Sequence, residues 1–170
     1  EINRNRTVCT TLTGTNELYD FCHRNERIEL YPINYTHNAA IISKISNFYS
    51  INSALEVSLS GQINAEQFDE SHVVAGVGGQ MDFIRGSKLS PGGRSIIALP
   101  STAQNGTVSR IKVHTQYVTS LKSEVDYVVT EYGIAKLFGK SLKERAENLI
   151  AIAHPKFRTA LYEELEQLQR

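Results

Sequence analysis

The sequence has no surplus of charge of either sign, with eighteen Lys and Arg against eighteen Asp and Glu. That balance excludes the basic footprint by which a whole domain holds nucleic acid. No apolar run approaches the ~20 residues that a membrane helix needs, and no secretory leader pattern is present. No membrane or nucleic-acid partner is therefore expected, and a cytoplasmic location is. Two cysteines, Cys9 and Cys22, are too few for a disulfide framework; they are expected as reduced thiols facing the core. H-E-x-x-H and C-x-x-C are absent and the five histidines are scattered, so no metal-ligand spacing exists and no metal is expected. G-x-S-x-G is also missing, which excludes a serine-hydrolase elbow.

What is there is enough for one ordinary domain. The 170 residues are 41% hydrophobic and 21% charged, the balance of a chain that folds around a core. We read residues 1–170 as a single domain. Because Glu1 leads almost directly into strand-like sequence, we read that domain as a piece of a longer chain.

The patterning alternates strands with short helices. Arg6–Gly14 is rich in Thr and Val and ends on a glycine, so it is expected as a strand. Thr15 can cap a short helix with Leu18, Phe21 and Cys22 on one face. Ile28–Asn34 follows as a strand limited by Pro32, and His37–Ser46 as a helix. Phe48–Glu66 alternates like a pair of strands turning near Ser60–Gln62. A short helix is expected over "MDFIRGSKL", then the most apolar strand, Arg94–Ser101. Thr107–His114 alternates with period two, and Asp126–Gly133 is a short buried strand with Glu131 just past its end. Ser141 and Glu144 form a capping box. Pro155 opens a last helix with Phe157, Leu161, Leu165 and Leu168 as its stripe. The fold class is α/β.

The stretch "VVAGVGGQMDFIRG" places Gly76, Gly78 and Gly79 within four positions. A dinucleotide fingerprint, G-x-G-x-x-G, fails at its third glycine, where Met81 stands. A P-loop fails at "PGGRSI", where Arg94 replaces the lysine and Lys88 the first glycine. Two uses of the glycines remain open on the residues alone. One is a tight turn between strands. The other is a nest of N–H groups aimed at an anion or a developing oxyanion.

The segments "INSALEVSLSGQINAE", "GVGGQMDFIRG", "GGRSIIALPSTA" and "VDYVVTEYGIAKLFGKSLKERAENLIAIAHPKFR" occur in this order. Together they resemble the C-terminal domain of the acetyl-CoA hydrolase/transferase family. That family includes class I CoA-transferases such as acetate and 4-hydroxybutyrate CoA-transferases. The resemblance implies a mostly parallel or mixed sheet flanked by helices, with coenzyme A entering as the acyl-CoA substrate. It also implies a small carboxylate as second substrate, an N-terminal CoA-transferase domain in the same chain, and a homodimer at full length. The chemistry it implies is covalent catalysis by a glutamate that passes through a glutamyl-CoA thioester.

Carried over motif by motif, the resemblance places Gly78 and Gly79 at the thioester oxyanion, with Gln80 alongside. Asn52 would donate its amide to the acyl or acceptor carboxylate. Glu131 would lie at a strand end facing the cleft, orienting the acceptor or assisting proton transfer. Arg94 would meet a CoA phosphate, since a guanidinium binds phosphate bidentately. Each also has a plain structural use: Asn52 to satisfy nearby backbone, Glu131 to cap the turn before a helix after Gly133, and Arg94 as an exposed loop cation. Glu56 is expected to be structural. No segment of the chain matches the family's nucleophilic glutamate, and neither Glu1 nor Glu17 lies in that motif. The nucleophile is therefore expected outside these residues. Hydrolase activity, or a non-catalytic module that binds CoA or acyl ligands, are the alternative readings.

Overall fold

The computed structural model describes residues 2–168. Glu1 and the Leu168 side chain, both named above, lie outside the described residues. Among the described residues, two sheets, two smaller strand pairs and six helices run around one core.

The chain starts with β1 (Thr7–Cys9), α1 (Asn16–Cys22) and β2 (Ile28–Leu30), with β1 and β2 parallel. The strand expected over Arg6–Gly14 is realised only at Thr7–Cys9, because its one partner is equally short. Tyr31 N–H still bonds Cys9 C=O at 2.9 Å, but Pro32 then has no N–H to continue the ladder. This unit lies at the periphery. Cys9 and Cys22 are half-buried and not in the core, and the expected apolar face of α1 leaves Phe21 66% exposed. Thr15 occupies the N-cap position of α1 without a side-chain capping bond.

Two short helices follow, α2 (Ile33–Thr36) and α3 (Ala39–Ile42). The single helix expected over His37–Ser46 is cut down to α3. Its cap is Asn38, whose Oδ1 accepts from the N–H groups of Ala40 and Ile41.

The main sheet contains β3 (Tyr49–Asn52), β6 (Arg94–Ala98), β10 (Tyr127–Thr130) and β11 (Gly133–Lys136), in the order β11-β10-β6-β3. β3, β6 and β10 are parallel, and β11 folds back antiparallel on β10. Between β3 and β6 the chain forms β4 (Glu56–Ser58), β5 (Ile63–Asn64) and the helix α4 (Gln80–Leu89). β4 and β5 make the turn expected near Ser60–Gln62, but Phe48–Glu66 is not a single strand pair, because β3 pairs with β6 instead; β9 (Ile111–Lys112) adds in parallel to β4. The segment Thr107–His114 is not one strand. It splits into β8 (Val108–Ser109), which pairs with β7 (Thr102–Ala103), and β9. The break falls at Arg110, whose N–H bonds Ser101 C=O at 2.9 Å and whose guanidinium bonds the carbonyls of Ala54, Leu55 and Thr102. The residues after Gly133 form strand β11 where a helix had been one reading.

One face of the main sheet packs inward. Ser50, Ser95, Ile97, Val128, Thr130 and Ala135 alternate onto it and are buried. Ile97, Ile84 of α4 and Leu149 of α5 (Leu142–Ala151) meet Val57, Ile63 and Ile111 of the second sheet in one cluster. Full burial of each such side chain contributes roughly 2 kcal/mol. The other face stays open: Tyr49 is 54% exposed, and Ile51 and Ile134 are each 68% exposed. Parallel sheets normally have both faces covered. The last helix, α6 (Pro155–Leu168), adds Leu161 to the core.

The capping box forms as the sequence predicts, with Ser141 Oγ and Glu144 N–H 3.3 Å apart and Glu144 Oε2 accepting from Ser141 N–H at 2.9 Å. The Lys140 ammonium, followed by the Ser141 N–H and hydroxyl, holds the Glu144 carboxyl down at about 2. A depressed folded-state value adds stability above the unfolded carboxylate value of about 4.3, and that contribution fades as pH falls through about 2. In urea titrations, Glu144→Gln is expected to lower the unfolding midpoint at pH 7. The difference from the parent should close as the pH is taken from about 4.3 to about 2.

Candidate active site

Strand direction places the site. β3, β6 and β10 are parallel, so their carboxyl ends share one edge, and Asn52, the Leu99–Ser101 segment and Glu131 all lie there. Helix α4 runs back against β3 and β6. Its C-cap Ser90 is tied to the start of β3: Ser90 Oγ accepts from Phe48 N–H at 3.1 Å and donates to Ile45 C=O at 2.6 Å. Asn47 N–H bonds Pro91 C=O at 2.8 Å. With its C-terminus fixed at the amino edge of the strands, the ~15 Å length of α4 puts its N-terminus at the carboxyl edge. That is where α/β sheets gather ligands.

The glycine loop forms that N-terminus. Gly78 has φ +56°, a left-handed conformation that favours glycine. Gly79, the N-cap, has an ordinary φ of −90°, and its lack of a side chain answers a different need. A methyl group added there would run into Cδ2 and Nε2 of His37. The first bond closing α4 is Phe83 N–H to Gly79 C=O at 3.1 Å. The N–H groups of Gln80, Met81 and Asp82 thus have no intrahelical acceptor, and the helix dipole favours negative charge there. The Gln80 side chain is buried and faces inward, its Nε2 donating to Ser120 Oγ at 2.8 Å. From residue 80, only the backbone N–H joins the helix terminus.

Asn52 is half-buried, its Nδ2 donating to Ser50 Oγ at 2.8 Å, and it lines a depression with Phe48 and Phe83. The Glu131 carboxylate accepts from Ser101 N–H at 2.8 Å and from Ser101 Oγ at 2.5 Å. Burial pushes its carboxyl up, but these Ser101 bonds, its own backbone bond and nearby His154 outweigh that and hold it below the ordinary range. Glu131 is therefore an anion at neutral pH, suited to accepting hydrogen bonds and a weak proton donor. In register, Asn52 faces Ile97, which faces Val128. Glu131 thus lies two strands across and three residues further on, about 10 Å in each direction.

Arg94 is not brought to this edge. It opens β6 at the amino end, and its Nη1 donates to Gly93 C=O at 2.6 Å. There it lines a cavity of about 340 Å³ with Lys88, Lys136 and Asp126. Glu56 is engaged in structure, accepting from Asn64 Nδ2 and from Thr115 Oγ1. Among the described residues, no group of three His, Cys, Asp or Glu side chains could hold a metal ion.

Three features of the edge had no signal in residue type or spacing that pointed to the site. His37, one of five scattered histidines, is placed against Gly79 only by the fold. Arg110 ties the loop after Asn52 to the loop that holds Glu131. The "HPKFR" segment braces the turn after β10, with the His154 ring 5.2 Å from Tyr132 and the Arg158 guanidinium 5.8 Å from the same ring.

Sheet, helix terminus and glycine loop define an α/β domain with its candidate site at the carboxyl edge. The chain belongs to the acetyl-CoA hydrolase/transferase C-terminal domain family, whose model matches residues 14–165. It is 50% identical over 163 residues to the 4-hydroxybutyrate coenzyme A transferase of Clostridium kluyveri, covering 94% of this chain and 38% of that protein. It is 48% identical to the succinyl-CoA:cyclohexane-1-carboxylate CoA transferase of Geobacter metallireducens, with 97% of this chain and 38% of that one covered. A crystal structure of 4-hydroxybutyrate CoA-transferase from Porphyromonas gingivalis superposes with a TM-score of 0.83 at 46% identity, covering 98% of this chain and 38% of its own. The chain thus spans little more than a third of the length of these relatives.

Two outcomes follow from the geometry. Gly79→Ala is expected to cost about 1–3 kcal/mol of stability by overpacking, and most of that cost should vanish in a His37→Ala background; a double-mutant cycle in urea measures it. Ser101→Ala should raise the Glu131 carboxyl value toward the ordinary carboxylate range, followed by carbon NMR titration.

Proposed function

We propose that this chain is the C-terminal domain of an acyl-CoA:carboxylate CoA-transferase that works through a glutamyl-CoA thioester. One observation carries the reading. The carboxyl edge holds Gly78, Gly79, Asn52 and Glu131 in a chain whose more similar relatives, at 41–50% identity, are named CoA-transferases. A relative named acetyl-CoA hydrolase is 32% identical, and for that reason transfer is preferred to hydrolysis here.

In this reading a glutamate outside these residues attacks the acyl-CoA carbonyl. The C–S bond breaks, CoA leaves as thiolate, and an acyl-glutamyl anhydride remains. The thiolate then attacks the glutamyl carbonyl, releasing the carboxylate product and leaving an enzyme–CoA thioester. The acceptor carboxylate repeats the two steps in reverse, regenerating free glutamate and a new acyl-CoA. Each tetrahedral intermediate carries an oxyanion. The N–H groups of Gly78, Gly79 and Gln80 are its donors, fixed beforehand at a helix N-terminus. Asn52 gives its amide to the acyl or acceptor carboxylate, and Glu131 orients the acceptor as a hydrogen-bond acceptor. Arg94 lies about 16 Å back along β6 from that edge, so it touches no reacting atom. A phosphate at the far end of an extended CoA is the part of the substrate it can meet.

The open sheet face and the exposed apolar residues before the glycines, Phe68, Val73, Val74 and Val77, support an N-terminal CoA-transferase domain as the cover of this site. A homodimer at full length and a cytoplasmic location belong to the same proposal. The isolated 170-residue chain is expected to show no exchange of CoA between acetyl-CoA and a second acid, while the full-length enzyme does. Turnover by the purified 170 residues would overturn the placement of the nucleophile.

A further inference from the structure

A cavity of about 290 Å³ lies between β1, the short helices and α4. Val8, Ile41, Ile42, Phe48 and Phe83 form its apolar wall, and Thr10, Thr36 and His37 line its polar side. Two contacts join it to the glycine loop. His37, whose ring lines the cavity, is the ring on which Gly79 packs. Phe83, also in the wall, sits 4.9 Å from that ring and bonds Gly79 C=O through its own N–H. The cavity is one side chain's thickness from the helix terminus.

Its lining also limits the ligand. Among the described residues no Lys, Arg, Asp or Glu contributes to it, so these residues offer neither a carboxylate nor a phosphate a charge partner. The polar groups largely bond one another: Thr10 Oγ1 to Thr36 Oγ1, Thr36 Oγ1 to His37 Nδ1 at 2.8 Å, and Tyr35 Oη to Asn3 Oδ1 at 3.0 Å. The volume lies at the bottom of the range for ligand pockets, too small for a nucleotide and suited to an aliphatic chain of about four to six carbons.

We infer that this cavity receives the acyl chain of the CoA thioester and sets its preferred length, an inference that rests on the transferase reading above. With the thioester oxygen on the amides of Gly78, Gly79 and Gln80, the acyl chain reaches the cavity by displacing the His37 ring, which packs on Gly79 and Phe83. Each methylene buried there is worth about a fourfold preference.

The test uses the full-length enzyme with acetyl-, butyryl- and hexanoyl-CoA as donors to one common acceptor. Ile41 is half-buried and is altered in both directions. Ile41→Trp fills the cavity and is expected to lower kcat/KM for butyryl- and hexanoyl-CoA at least tenfold relative to acetyl-CoA. Ile41→Ala enlarges it and is expected to raise hexanoyl-CoA severalfold relative to acetyl-CoA. Ratios within one variant are insensitive to any loss of folded protein. If both variants keep the parent's chain-length profile, the acyl-pocket inference falls while the transferase reading stands. If the parent enzyme transfers CoA from none of the three donors, the transferase reading falls and takes this inference with it.

Discussion

Everything at the carboxyl edge depends on how closely α4 can lie against its neighbours. Gly86, in the middle of that helix, packs directly on Ile42, and Gly93, at the turn into β6, packs on Ser87 C=O and Ser90. A side chain at either position would lift the helix off α3 or open the turn. Ser90 then closes the return by bonding both Ile45 and Phe48. A helix of fixed length held along one buried face has one place for its N-terminus, and the glycine loop inherits that place. The loop's chemistry is thus set by small residues at the far end of the helix as much as by Gly78 and Gly79 themselves.

The two adjacent glycines answer different constraints. Gly78 is needed for its dihedral angle and Gly79 for its empty space. A sequence pattern treats them alike, because only the fold brings His37 to residue 79. This marks the general limit of what the sequence made legible. Local signals were readable: the S-x-x-E box of Ser141 and Glu144, the apolar run of β6, the hairpin of β4 and β5, and Glu131 just beyond a buried strand. These depend on neighbours within a few residues.

Features set by distant partners were not readable. Thr107–His114 looked like one strand because its alternation continues unbroken, yet its halves pair with β7 and β4. Cys9 and Phe21 looked like core residues by type, but β1 and α1 pack at the rim. Residue type does not say that Arg94 stands at the amino end of β6, away from the carboxyl edge. Which end of a parallel strand it occupies became decisive only once strand direction was known. The resemblance to CoA-transferase segments supplied the candidate site residues as a set, which patterning alone could not.

Arg110 has a broader bearing. Its guanidinium bonds the carbonyls of Ala54, Leu55 and Thr102, and its N–H bonds Ser101 C=O. It therefore links the segment that follows Asn52 to the one that fixes Glu131, and five forked donors on a planar group tolerate little relative rotation. The spacing between the amide and the carboxylate is built in before any substrate arrives. In the proposed reaction, this preset spacing leaves little reorganisation for these residues to supply. On the proposed transferase reading, any closing motion falls to the opposite wall, with this domain as the anvil against which that wall closes.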